Sequence, residues 1–246
     1  MHSIGRPSTG RLAGRVALAL AALLAAMVGL GLLLTKVLEN VPPISAEDGV
    51  SRSLAAGRSP DATAVSGFFS LVGSTPVIIG VMLVVAVIFR LVFHRWRESV
   101  FLVLAVSAQA LVFLLTTLLV SRSRPDVTHL DDSPPTSSFP SGHTGAATAL
   151  YLGIAVVLAW HTRHVWARRS VVLALLLVPL SVGLARLYRG MHHPSDVIAA
   201  FANGITCVYV SARSLLARAL PEGLAARLDP AQGRTESAGA TSRARR

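Results

Sequence analysis

The 246-residue chain is 52% hydrophobic and only 14% charged, with a formal net charge of +11. That balance excludes an ordinary water-soluble domain and points to a membrane protein. The positive charge does not point to nucleic acid, because the arginines are spread loop by loop rather than gathered into one patch.

A hydrocarbon core about 30 Å thick needs roughly 20 apolar residues in a helix. Residues 1–15 carry Arg6, Arg11 and Arg15 and form an N-terminal segment ahead of the first apolar run, Val16 to Thr35. A basic start also describes a signal peptide, but no small-residue cleavage site follows, so an uncleaved anchor helix is expected. Glu39 to Ala64, with three prolines and mixed charge, reads as a surface loop with room for a short interfacial helix. Ala62 to Phe89 and Ser99 to Ser121 contain no charged residue and are expected to form the second and third spans. Gly145 to Trp160, Ser170 to Ala185 and Val197 to Ala212 supply three shorter ones. A 16-residue helix rises only about 24 Å, so the flanking Arg186 and Asp196 should sit at the headgroup boundary rather than out in water. The expected fold class is all-α, a polytopic protein with six transmembrane helices between residues 16 and 218. Residues 219–246 are rich in Ala, Arg, Gly and Ser and lack the apolar content to pack, so they are expected to form a disordered basic tail with weak attraction to anionic membrane lipid. The single cysteine, Cys207, lies inside the last apolar run and reads as a small buried side chain.

Charge sorting predicts the orientation. With both termini in the cytoplasm of a cell whose plasma (inner) membrane the chain crosses, sixteen arginines fall inside, seven of them from Arg213 onward. The opposite face receives six arginines and eight of the twelve acidic residues. This is the arrangement the positive-inside rule favours. It puts residues 122–142 and 186–196 on one face, the extracytoplasmic one, where they can share a site.

Three fragments at these helix ends carry chemistry. In the first, Arg122-Ser123-Arg124-Pro125, the proline turns Arg124 out of the third helix. A guanidinium fork matches phosphate oxygens, and two arginines on the face that charge sorting depletes are poorly explained as anchors. The second, Pro140-Ser141-Gly142-His143, marks a helix start whose unpaired backbone N–H groups suit an anion. His143 adds an ionisable group at the membrane edge. The third runs from Arg186 through His192, His193 and Pro194 to Asp196. Pro194 can open the last helix, and Asp196 then lies within reach of a histidine whose second ring nitrogen would be turned outward as a nucleophile. Spacing alone leaves His192 and His193 both open for that role. A zinc site is disfavoured, since only His143, His192, His193 and Asp196 are near one another, without a thiolate or a helical His-x-x-x-His pair.

In order, spacing and placement these fragments resemble the type 2 phosphatidic acid phosphatase superfamily, integral-membrane lipid phosphate phosphatases related to vanadium haloperoxidases. That family's pattern runs Lys, six residues, Arg-Pro; then Pro-Ser-Gly-His; then Ser-Arg, five residues, His, three residues, Asp. Arg124-Pro125, Pro140 to His143, and Arg186, His192 and Asp196 match it, across residues 117–196. Two positions depart: Thr117 stands where the family has lysine, and Ala185 where it has serine. Arg122 is the expected replacement for the missing lysine charge.

The resemblance implies a phosphatase that uses no metal and no cofactor. It selects His192, oriented by Asp196, as the nucleophile that forms a phosphohistidine, and makes His143 the acid that protonates the leaving group. Arg124, Arg186, Ser141 and the Gly142 amide would hold the phosphate oxygens. The implied partner is an amphiphilic lipid phosphate; nucleic acid is not expected, and oligomeric state stays open. Arginine used almost to the exclusion of lysine, and the lack of glycosylation sequons, give the chain a bacterial look. That favours a polyprenyl diphosphate of envelope synthesis slightly over phosphatidic acid. The alternatives are a phosphotransferase of the same superfamily and, less favoured, a transporter or structural membrane protein, which would need ionisable residues within the spans.

Overall fold

The structure, a computed structural model, describes residues 9–132 and 136–216. The expected tail at 219–246 lies outside the described residues. Eight α-helices account for most of the rest: α1 (Thr9–Lys36), α2 (Glu47–Ala56), α3 (Pro60–Val72), α4 (Thr75–Phe93), α5 (Arg97–Leu119), α6 (Gly142–His161), α7 (Val165–Tyr188) and α8 (Pro194–Leu215). Six of them, α1 and α4 to α8, are long and apolar enough to cross a membrane. The protein is therefore all-α and multi-pass, with the expected number of spans.

The run from Ala62 to Phe89 is not one helix. Gly73 and Ser74 divide it into α3 and α4, with Ser74 in an extended conformation at the N-cap and Pro76 in the first turn of α4. Proline lacks the N–H that would continue the ladder, so an apolar run long enough for one span becomes a short helix and a full one. A Cβ on Gly73 would fall 2.6 Å from Val182 and 3.3 Å from the His143 Cβ. The break thus lets the chain press closely against α6 and α7.

The three short apolar runs become full-length spans by recruiting their polar flanks. α6, α7 and α8 are 20, 24 and 22 residues long, and Arg186 and Asp196 lie within the last turn of α7 and the first turn of α8. Lipid tails are as apolar as leucine, so burial against water does little to hold these helices together and close packing must do it. Small residues make that possible. An added Cβ on Gly204 of α8 would stand 2.7 Å from Thr148 of α6, and one on Gly145 would stand 2.4 Å from Gln109 of α5. The core formed there includes Phe101, Leu102, Leu150 and Val182, all fully enclosed. Leucines such as Leu91, Leu118 and Leu184 face outward, as lipid contact requires.

The C-terminal ends of α1, α5 and α7 and the N-terminal ends of α4, α6 and α8 meet at one end of the bundle. α2 and α3 pack there too: the Ser195 backbone N–H donates to Glu47 Oε1 at 2.8 Å, and Arg189 reaches the Thr63 carbonyl and the Ser66 hydroxyl.

Candidate active site

A cavity of about 710 Å3 opens at this end, and Arg124, His143, Arg186 and His192 all line it. Each comes from a different local structure. Arg124 lies in the irregular stretch after α5, where Val120 turns extended and Pro125 forbids the helix to resume. The Arg122 carbonyl accepts from the Ser138 N–H at 2.9 Å, tying this stretch to the one that enters α6. His143 occupies the first turn of α6, and Arg186 the last turn of α7. His192 sits in the turn between α7 and α8, whose reversal uses Gly190 at φ +73°. Any side chain there would be strained and would meet Val127 at 2.7 Å.

The cationic groups are only partly satisfied. Arg124 donates through Nη1 to the Met191 carbonyl at 2.7 Å, and Arg186 donates through Nη1 to Ser70 Oγ at 2.7 Å and to Asp131. Among the described residues, Nε of both arginines is buried without a hydrogen-bond partner. A buried donor left unpaired costs about 1–3 kcal/mol, and both arginines also line the open cavity, where a guanidinium fork suits an oxyanion. Burial lowers the pKa of the Arg124 guanidinium, an effect partly offset by Asp196.

His192 is buried, and its Nδ1 lies 2.8 Å from the Ser138 carbonyl. A carbonyl oxygen only accepts, so Nδ1 carries the proton and Nε2 keeps its lone pair. Burial, reinforced by the charges of Arg186 and Arg124 and opposed by Asp196, pushes the imidazole pKa down to about 3. A neutral ring with a free Nε2 is the form a nucleophile needs. Asp196 stands 3.9 Å from His192 Nδ1, so the direct orienting partner is the Ser138 carbonyl. Asp196 acts through it by accepting the Ser138 hydroxyl proton on Oδ2.

His193 is turned the other way. It lines a separate polar cavity of about 370 Å3 together with Lys36, Asp48 and Arg122, and its Nε2 lies 3.2 Å from Asp48. The geometry thus separates two histidines that spacing left equivalent.

Gly142 also lines the main cavity, held there because a Cβ would stand 2.8 Å from Phe113. Two expected phosphate contacts do not reach it. Ser141 is buried against α8, with its N–H on the Asp196 carbonyl at 3.2 Å and its hydroxyl paired with Thr144 at 3.0 Å. Arg122 is absorbed by Glu47 and Asp196, so its charge is turned away from the cavity. A carboxylate makes replacement there unworkable: it holds the guanidinium fork that a phosphate would need.

Sequence reasoning passed over Asp131. It lines the cavity, accepts from Ser70, Arg186 and Arg189, and so lies where an anion is wanted. Burial raises its pKa, but the hydrogen bonds from Arg189 and Ser70 and the nearby arginine charges outweigh that and hold it below the usual carboxylate value. Among the described residues no group of three His, Cys, Asp or Glu side chains is arranged to hold a metal ion.

Known proteins resemble this chain in sequence and in fold. A family model described as the PAP2 superfamily matches residues 97–219. Phosphatidylglycerophosphatase B of Bacillus subtilis (strain 168) is 24% identical over 169 residues, 68% of this chain and 81% of that protein. The crystal structure of a transmembrane PAP2-type phosphatidylglycerolphosphate phosphatase from Bacillus subtilis is similar with a TM-score of 0.68 and 20% identity, covering 84% of this chain and 98% of that one. The crystal structure of Aquifex aeolicus LpxE gives a TM-score of 0.55 and 24% identity over 67% of this chain and 93% of its own. At such identities the structural likeness speaks for the fold.

Proposed function

The chain belongs to the PAP2 superfamily of membrane phosphatases, and on that premise we propose that it dephosphorylates a lipid through a phosphohistidine formed on His192. One observation carries the lipid part of the reading: the cavity lined by Arg124, Arg186 and His192 is also lined by Leu71, Ile78, Ile79 and Leu114. Leu71, Ile79 and Leu114 are at least 47% exposed on the outside of the bundle, so the apolar wall continues to the lipid-facing perimeter. A phosphate can enter the cavity while its hydrocarbon chain stays in the bilayer.

In the proposed cycle, His192 Nε2 attacks phosphorus as the bond to the leaving oxygen breaks, and His143 protonates that oxygen. Arg124, Arg186 and the Gly142 N–H at the start of α6 stabilise the equatorial oxygens, where charge builds up in the transition state. Water then cleaves the N–P bond and returns the imidazole. No step requires a metal. The excess of arginine at the other end of the bundle supports an extracytoplasmic location for the site in the bacterial plasma membrane, with both termini inside.

The substrate is a lipid phosphomonoester or diphosphate. The names of the relatives put phosphatidylglycerol phosphate beside the polyprenyl diphosphates and phosphatidic acid as first compounds to assay. Detergent-purified protein should release inorganic phosphate from at least one of them with EDTA present, and His192→Ala should not. Release that EDTA abolishes would reject the metal-free cycle, and release that persists in His192→Ala would reject the nucleophile. Turnover that depends on an added acceptor lipid would identify a phosphotransferase.

A further inference from the structure

Arg122 makes three side-chain hydrogen bonds, none of them to a residue that lines the main cavity. Its Nη1 donates to Asp196 Oδ1 and to Ser195 Oγ, and its Nη2 donates to Glu47 Oε2 at 2.8 Å. Glu47, the first residue of α2, also accepts the Ser195 N–H at 2.8 Å and the Ser195 hydroxyl at 2.9 Å. The side chains of Arg122, Glu47 and Asp196 are 8%, 9% and 0% exposed. A carboxylate removed from water this completely needs a counter-ion. One guanidinium serves two carboxylates here, which leaves one net negative charge in the triad.

The far end of the network is the His192 ring. Asp196 Oδ2 accepts from the Ser138 hydroxyl and the His193 N–H, and the Ser138 carbonyl accepts a hydrogen bond from His192 Nδ1–H. We infer that Glu47 and Arg122 are positioning residues for the His192 nucleophile: they fix Asp196, which fixes Ser138, which fixes the tautomer and direction of the ring. The inference rests on the phosphatase reading of the cavity. It extends the catalytic apparatus to α2, a helix outside the 97–219 segment that matches the family, and gives Arg122 a role in place of phosphate binding. A positive charge developing on the imidazole during attack is met by the residual negative charge of the triad.

The test uses the full-length protein in detergent and two readouts. In steady-state assays Glu47→Gln should lower kcat about 10-fold, and Arg122→Met about 100-fold, with KM within about 3-fold of the parent, because neither residue touches substrate. Arg122→Lys, which keeps the charge, should recover at least about a tenth of the parent kcat. The double variant Glu47→Gln/Arg122→Met should be no slower than Arg122→Met alone, as for residues acting in one chain. The second readout is 15N-histidine NMR, with the His192 signal identified by its loss in His192→Gln. It should report the Nδ1–H tautomer in the parent and mixed tautomers in Glu47→Gln and Arg122→Met. A raised KM with unchanged kcat, or an unaltered His192 tautomer in both variants, would overturn the inference. If the parent releases no phosphate from any lipid but the tautomer still shifts, the phosphatase reading fails and the positioning network stands.

Discussion

Both ends of the helix bundle bury charge, and they do so differently. Opposite the cavity, Glu98 at the start of α5 is 1% exposed and is held by Arg95, through both carboxylate oxygens, with His161 at 3.7 Å. The His161 ring stacks on Phe93 at 4.0 Å, and its Nδ1 lies 2.9 Å from the Val157 carbonyl. That cluster ties the α4–α5 turn to the end of α6 and closes on itself. At the cavity end three arginines and two aspartates line about 710 Å3 of open space, and among the described residues the Nε atoms of Arg124 and Arg186 lack acceptors. Composition does not distinguish the two ends, since each combines Arg, His and carboxylate. An open cavity lined by arginines does, and it marks a place for a ligand.

The largest expected effect tests that distinction directly. His192→Ala should reduce phosphate release by about 10^4-fold or more while leaving the helical circular dichroism unchanged. Arg124→Ala or Arg186→Ala should lower kcat/KM by about 10^2- to 10^3-fold, the range for removing one preorganised donor to a developing oxyanion. At the other end, Glu98→Gln should cost about 2 kcal/mol of stability, read as a lower detergent-phase melting temperature, with kcat/KM within about 2-fold of the parent. A large loss of turnover in that variant would erase the contrast between the two ends. Asp131→Asn sharpens it from the other side. Removing the carboxylate that occupies Arg186 and Arg189 should tighten inhibition by inorganic phosphate by about 3- to 10-fold, measured as a lower inhibition constant; weaker inhibition would show that Asp131 orders the arginines rather than competing for them.

The smallest effect concerns pH. His192 has a folded-state pKa of about 3 against an ordinary 6.5, so the unfolded chain binds this proton more readily than the folded one. Its burial therefore lowers stability progressively as the pH falls from 6.5 toward about 3. Above about pH 5 the kcat/KM profile of the free enzyme should show no ionisation assigned to His192, which His192-resolved NMR titration would check.

Much of this architecture was legible in the chain. Six spans followed from apolar run lengths, and the convergence of Arg124, His143, Arg186 and His192 on one cavity followed from motif order together with charge sorting. Three things were not legible, each for a physical reason. The division of the 62–89 run depended on two residues, Gly73 and Ser74, inside an otherwise uninterrupted apolar pattern. Arg122 and Arg124 carry the same charge two residues apart, and only Glu47 and Asp196, 75 and 74 positions from Arg122, decide which of them faces the cavity. Asp131 has no regular element or motif around it; its place is set by Arg186, Arg189 and Ser70, which meet only in three dimensions.

The bond from His192 Nδ1 to the Ser138 carbonyl has a bearing on the second half of the proposed cycle. An amide oxygen is too weak a base to remove a ring proton, so an imidazole phosphorylated on Nε2 would stay protonated on Nδ1 and carry a full positive charge. A cationic phosphoramidate expels its amine far more readily than a neutral one. The hydrogen bond that aims the ring would thus also keep the intermediate from becoming a resting place, leaving water to discharge it without a separate acid.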